Sequence, residues 1–299
     1  MERDKRVGGV QNIRELREAA WFGLGAGERS ASWLILLDVL GADRDNWEEQ
    51  MKSRRVIYNG LVQGLDKPSV SPDILSPSLL PQKIVKQIEK DMVRMESVLG
   101  ETLRERCLRA MRIFSRKHPV IGYVQGMGEI FKVFYEVHAA EYSAIDAEML
   151  AYFCFARIVG QALDCFGSGQ LGIERSIEEI DELLEKYAQR VKEVLVRKGV
   201  EVKYFAYNWM STFMFREFAD YKKVMDAHFS LGVPGFLRFN ISFATSVVIF
   251  FRKEIARDSF EDILGLLQNL NRYKWEADVL DKILSMAYIL YSDGRLQLE

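Results

Sequence analysis

An all-α fold is what this chain predicts. Apolar residues recur at spacings of three and four almost from end to end, and strand-like alternation is scarce. The breaks between these stripes fall where proline and glycine stop a helix. The 299 residues allow one large domain or two smaller ones, with a sizeable core in either case. Hydrophobic residues at 48% and charged residues at 28% are the balance of an ordinary globular protein rather than a disordered or fibrous one.

The first clear irregular stretch lies between Leu65 and Pro81, where four of the six prolines (Pro68, Pro72, Pro77 and Pro81) fall among serines. It reads as a loop, with Pro81 placed as the first residue of the next helix. From residue 101 to 118, Leu103, Cys107, Leu108, Met111 and Phe114 form one stripe that Pro119 ends. A second break, Gly167 to Gly172, is placed to act as a hinge between halves. One long helix is expected from Ile173 to Lys198, with Ile177, Ile180, Leu184, Tyr187, Val191, Val194 and Leu195 on one side and Gly199 as its C′ residue.

Tyr204 to Phe218, rich in aromatics, and Gly235 to Ile255 both read as central helices. The second holds the most hydrophobic run, Phe239 to Phe251, which at thirteen residues is shorter than a bilayer span and reads as a buried core helix. Asp258-x-x-Glu261 has the form of a capping box opening a further helix, and Trp275 to Tyr291 supplies the last amphipathic stripe.

The net charge of −2 provides no basic field to draw the chain to nucleic acid or anionic lipid. Cys107, Cys154 and Cys165 are odd in number and lack C-x-x-C spacing, as expected of reduced cytosolic thiols buried as small hydrophobes. The charged start, Met1 to Arg6, is not followed by a signal-type apolar stretch, and no lipidation motif is expected at either end. His118, His138 and His228 are scattered outside any metal-binding spacing, so no metal site is expected. Gly23 to Gly27 lacks the strand and βαβ context of a phosphate loop and reads as a turn between helices. The carboxylates Glu178, Glu179, Asp181 and Glu182 read as the solvated face of their helix.

The segments that carry chemistry are Ile88-x-x-Asp91-x-x-Arg94 and, about thirty residues on, Gly122-Tyr123-Val124-Gln125-Gly126-Met127. Alone, Arg94 reads as an exposed partner for Asp91 and Gln125 as a polar residue near a helix start. Together they look different: two glycines around Tyr-x-Gln free the backbone to bring a short amide side chain close to another surface.

On these motifs the chain resembles the TBC-domain family of Rab GTPase-activating proteins. The resemblance spans nearly the whole sequence: Leu16-Arg17-x-x-x-Trp21, Arg29-x-x-x-Trp33, His118-Pro119, Gly199-Val200-Glu201, Phe205 to Met210, Arg216-Glu217 and Leu266 to Leu270 fall in the family's order. It implies a two-lobed helical domain, with a tail over 1–12, an N-terminal lobe over 13–172, a C-terminal lobe over 173–291 and a tail over 292–299. It implies Arg94 as an arginine finger and Gln125 as a glutamine finger, exposed on one rim of a groove and inserted beside the GTP of a Rab-family GTPase. Asp91 is implied as the residue that positions the Arg94 segment, with Tyr123, Gly122 and Gly126 shaping the glutamine loop.

GTP and Mg²⁺ would be carried by the partner, and the chain is expected to hold no cofactor or metal of its own. No nucleic-acid partner is expected. Membrane contact is expected only through the partner, for a cytoplasmic protein peripheral to endomembranes and serving vesicle traffic. The chain departs from the family pattern at Met95, at Gly128-Glu129, where Asn-Asp is usual, at Met225, where Trp is usual, and after Arg216-Glu217, where Phe218-Ala219 lacks the usual proline. These changes bear on partner choice and groove shape. The alternative they keep open is a catalytically weak Rab-binding scaffold on the same helical fold.

Overall fold

The computed structural model describes the backbone of residues 6–7, 10–65, 80–95, 101–167 and 169–296. Pro68, Pro72 and Pro77 lie outside the described residues. The fold is all-α, apart from a two-residue antiparallel ladder between β1 (Arg6–Val7) and β2 (Val10–Gln11) in the segment expected to be a tail. The chain divides into two compact units, 1–17 with 25–168 and 18–24 with 169–299. This division falls a few residues before the 172/173 boundary read from the sequence, and it gives the short stretch 18–24 to the second unit.

The helices of the first stretch of chain are α1 (Ile13–Phe22), α2 (Ala26–Leu36), α3 (Trp47–Gly64), α4 (Gln82–Met95), α5 (Glu101–Lys117), α6 (Met127–His138), α7 (Ala144–Gln161) and the single turn α8 (Leu163–Phe166). In the first unit, Trp33, Phe114, Phe131, Phe134 and Phe155 are fully buried. Trp33 meets Phe134 edge-on at 5.8 Å and Phe114 meets Phe155 at 5.1 Å, joining α2 to α6 and α5 to α7. Glu148 on α7, 2% exposed, accepts from Tyr58 of α3 at 2.8 Å and from Arg106 and Arg109 of α5 at 2.5–2.6 Å. A carboxylate removed from water needs this number of donors to offset its lost hydration. His138 is enclosed in the same unit, its Nδ1 2.7 Å from Ser30 Oγ and its Nε2 3.4 Å from Cys154 Sγ.

The second unit contains α9 (Leu171–Tyr187), α10 (Gln189–Arg197), α11 (Lys203–Ser211), α12 (Tyr221–Ser230), α13 (Gly232–Phe250), α14 (Arg252–Arg257), α15 (Phe260–Leu267) and α16 (Ala277–Leu296). Helix α13 is long and apolar enough to cross a membrane, with a mean hydropathy of 1.4, but 72% of that stretch is buried against the unit's other helices. Two of its polar residues are satisfied within the helix, Thr245 donating to the Ile241 carbonyl at 3.0 Å and Ser246 to that of Ser242 at 2.9 Å.

Five expectations need correction here. The long helix expected over 173–198 breaks at Ala188 (φ −145°), and α10 folds back on α9. Lys192 pairs with Asp181, eleven positions away, whereas a straight helix would set them about 16 Å apart. The break lets Lys198 Nζ reach the carbonyls of Ile255 (2.8 Å), Ala256 (3.0 Å) and Asp258, capping the C-terminus of α14. Gly199 (φ 73°) does follow α10 as a left-handed terminator, with Val200 N–H donating to the Leu195 carbonyl.

The helix expected to run to Phe218 stops at Ser211, because Phe213 and Met214 take left-handed conformations (φ 50° and 59°). Both are fully buried, and Phe213 packs edge-on against Phe236 at 5.3 Å. The stretch from Gly235 to Ile255 divides at Phe251 between α13 and α14. The capping residue of α15 is Ser259, not Asp258: its hydroxyl accepts from Asp262 N–H, one register later than expected. Helix α16 also runs past 291, into the stretch expected to be a tail.

Burial holds the imidazole of His138 down to about 3 and that of His228, in the second unit, down to about 4. Both are therefore neutral in the folded chain, while the unfolded chain takes up protons near 6.5. Their contribution to stability is complete above pH 6.5 and is lost as pH falls towards 4 and 3, at up to about 1.4 kcal/mol per pH unit for each. Denaturant titrations at pH 7 and pH 5 should show the loss, and His138→Gln should flatten it. An unchanged pH dependence in that variant would contradict the assignment.

Candidate functional site

Helix α4 begins at Gln82, so Pro81 stands just before it rather than as its first residue, and the Pro81 carbonyl accepts from Ile84 and Val85. Its inward face carries Ile88, Met92 and Asp91, the last only 7% exposed. An aspartate there needs donors, and the segment after α5 brings them. The Tyr123 hydroxyl makes a short hydrogen bond to Asp91 Oδ2, and the Gly126 N–H reaches the same oxygen at 3.4 Å. Burial, reinforced by the Asp91 charge, pushes the Tyr123 phenol well above its ordinary range, so it remains a donor.

The loop is built around its glycines. The His118 carbonyl accepts from Ile121 (3.0 Å) and Gly122 (2.8 Å), turning the chain at the end of α5. Gly122 is left-handed (φ 64°), and a Cβ there would lie 3.0 Å from Ile84 Cδ1 of α4. Gly126, also left-handed at φ 101°, is the N-cap of α6. Gln125 stands between the Asp91-bound residues, exposed, and among the described residues its carboxamide has no hydrogen-bond partner. A free carboxamide can donate and accept at once.

The structure thus brings Asp91, Gly122, Tyr123, Gln125 and Gly126 together. Arg94 is placed by its backbone, in the last turn of α4 and about 4.5 Å along the axis from Asp91. The side chains of Arg94 and Met95 lie outside the described residues. Three contributors escaped the sequence reading. Ile84 fills the space beside Gly122, Cys107 of α5 lies with its Sγ 3.8 Å from the Gly128 carbonyl, and Phe114 supports His118 at a ring distance of 4.4 Å. Cys107 looked like any small buried hydrophobe, and nothing in its spacing marked the loop above it.

The remaining landmarks are structural. Trp21 packs on Phe239 and Tyr288, Trp209 Nε1 donates to the Leu267 carbonyl at 3.1 Å, and Asp226 accepts from Leu24 N–H at 2.8 Å, fastening stretch 18–24 to the second unit. Met225, where tryptophan is usual, is fully buried.

Comparison with known proteins adds a family to this geometry. Residues 29–256 match the family model of the Rab-GTPase-TBC domain. Over 97% of its length the chain is 26% identical to the GTPase-activating protein gyp1 of Schizosaccharomyces pombe, covering 60% of that protein. It is also 26% identical to TBC1 domain family member 22A of Mus musculus over 93% of its length, covering 57% of that protein. The chain therefore spans somewhat less than two thirds of these relatives. Its fold is that of the Ypt/Rab-GAP domain of Gyp1p, with a TM-score of 0.86, 21% identity, and coverage of 96% of this chain and 95% of that one. The Chlamydomonas flagellar RabGAP TBC domain is similar at a TM-score of 0.68 and 15% identity.

Replacing Asp91 with alanine would orphan the Tyr123 hydroxyl and the Gly126 amide, at about 1–3 kcal/mol for each buried donor. Urea denaturation should show a loss of that size for Asp91→Ala and a smaller one for Asp91→Asn, which keeps an acceptor oxygen. Gly126→Ala should cost about 1–2 kcal/mol through its left-handed backbone alone.

Proposed function

The chain belongs to the Rab-GTPase-TBC domain family, and we propose that it accelerates GTP hydrolysis on a Rab-family GTPase by supplying Arg94 and Gln125 in trans. The observation that supports this reading most is the carboxylate of Asp91. It sits one helical turn from Arg94 on α4 and bonds the residues on either side of Gln125, so one buried group registers both fingers.

Hydrolysis of GTP builds charge on the oxygens of the transferred phosphoryl group. A guanidinium, charged at any physiological pH and planar enough to bridge two oxygens, offsets that charge without a proton transfer. The Gln125 carboxamide accepts a hydrogen bond from the attacking water with its oxygen and donates with its nitrogen, aligning the water with the terminal phosphate. The partner carries GTP and Mg²⁺, and the GTP-loaded form is the substrate. The chain would meet endomembranes through that partner, in the cytoplasm and in the course of vesicle traffic.

GTP hydrolysis by a panel of purified Rab proteins, with and without the chain, tests the reading. Stimulation should fall about 10³-fold or more in Arg94→Ala and, through lost positioning of the water, about 10²-fold in Gln125→Ala. Arg94→Lys should recover only part, because an ammonium lacks the planar fork. Stimulation that survives both alanine changes sinks the assignment, and binding without stimulation identifies a scaffold.

A further inference from the structure

The second unit contains a cleft of about 480 Å³ for which the two fingers have no use. It exists because α10 folds back on α9: the two helices are its walls, and the turn from Gly199 to Lys203 closes one end. At that end the left-handed Gly199 leaves free space inside the cleft, with no atom within 4 Å of where a Cβ would sit. Such a volume lies within the range of small-ligand pockets.

Its lining combines an apolar floor with an acidic wall that is only partly compensated. Ile177, Val200 and Val202 contribute apolar surface, and Val196 stands at the lip with 63% of its surface in solvent. Glu178, Asp181 and Glu182 of α9 face them. Lys192 is paired to Asp181, and Lys203 to Glu201 at 2.5 Å, so both cations of the lining are already engaged. Among the described residues no cation pairs with Glu178 or Glu182, which are exposed and stand four positions apart on one helix face. Like charges so spaced destabilise a helix by a few tenths of a kcal/mol, and a cation lying between them removes that penalty.

A metal ion is a poor occupant, because among the described residues no three acidic, histidine or cysteine side chains come close enough together to hold one. A long basic side chain with an apolar neighbour matches both surfaces. We propose that this cleft is a docking site for a short basic and aliphatic peptide segment of a partner protein, an arginine lying along Glu178 and Glu182 while its aliphatic neighbour covers Val196. This goes beyond the GTPase-activating reading and is independent of it.

Fluorescence anisotropy with a labelled hexapeptide, Gly-Leu-Arg-Leu-Arg-Gly, tests the site. Saturable binding is expected, at least tenfold tighter than for the peptide with glutamate in place of arginine. It should also be several-fold tighter than for the peptide with glycine in place of leucine. Glu178→Gln/Glu182→Gln should weaken binding about tenfold, and Val196→Ser several-fold. The circular-dichroism melt of the first variant should be unchanged or higher, since a repulsion has been removed. The Arg94→Ala/Gln125→Ala chain should bind the peptide unchanged, which separates this site from the fingers. Binding that fails to saturate, that ignores peptide composition, or that persists in both cleft variants overturns the proposal.

Discussion

The Asp91 carboxylate is the interaction on which the candidate site depends. It is buried, it accepts from Tyr123 and Gly126, and it ties α4 to the loop that enters α6. Without it, apolar contacts such as Ile84 beside Gly122 would remain between α4 and the Gln125 loop, and these resist separation but fix rotation poorly. Hydrogen bonds are directional, and two of them on one oxygen set the angle at which the loop leaves the helix. A carboxylate is a costly choice for a buried linker, and a hydrophobic residue would pack there at less expense in desolvation. A carboxylate there is understandable where the register between α4 and the Gln125 loop matters more than stability.

The fold class and the loop architecture were legible because their causes are local. Apolar spacing along a helix, Pro119 after α5 and the left-handed glycines at 122, 126 and 199 all act within a few residues. What escaped was decided by distant partners. Ala188 carries no signal for a break, and the chain turns there because α10 brings Lys198 to the end of α14, some sixty residues away. The same holds at Ser211, where the helix yields to burial of Phe213 against Phe236. The cap at Ser259 was missed by one residue, since Asp258 and Ser259 are both competent caps and the Asp258 carboxylate is paired with Arg257.

The tryptophans Trp21, Trp33 and Trp209 and the acids Asp226 and Glu217 serve the core rather than the site. Asp226 fixes stretch 18–24 to the second unit, and Glu217, buried beside Arg216, has a carboxyl raised above its ordinary range by desolvation. A resemblance carried by such residues establishes the scaffold. It is silent on the chemistry, which rests on a few side chains at the surface. The fully buried Met225 shows the same separation: a departure from the family there changes packing in the second unit, while Asp91, Tyr123 and Gln125 all lie in the first.

Left-handed backbone at residues other than glycine falls outside the Gln125 loop, at Asp38 in the first unit and at Gln170, Phe213 and Met214 in the second. The left-handed residues of the Gln125 loop are glycines, for which that conformation is nearly free, so the loop stores little energy. In the second unit the left-handed residues Phe213 and Met214 cost about 1 kcal/mol or more apiece, and that cost is met by burying two large side chains far in sequence from Gln125. A strained loop could relax when a partner docks and carry Gln125 with it. A relaxed loop, held by an aspartate below and by α6 after it, has no such reservoir. The backbone that carries Gln125 is therefore preset by hydrogen bonding, and docking is left to fix only the side-chain rotamer of the exposed carboxamide.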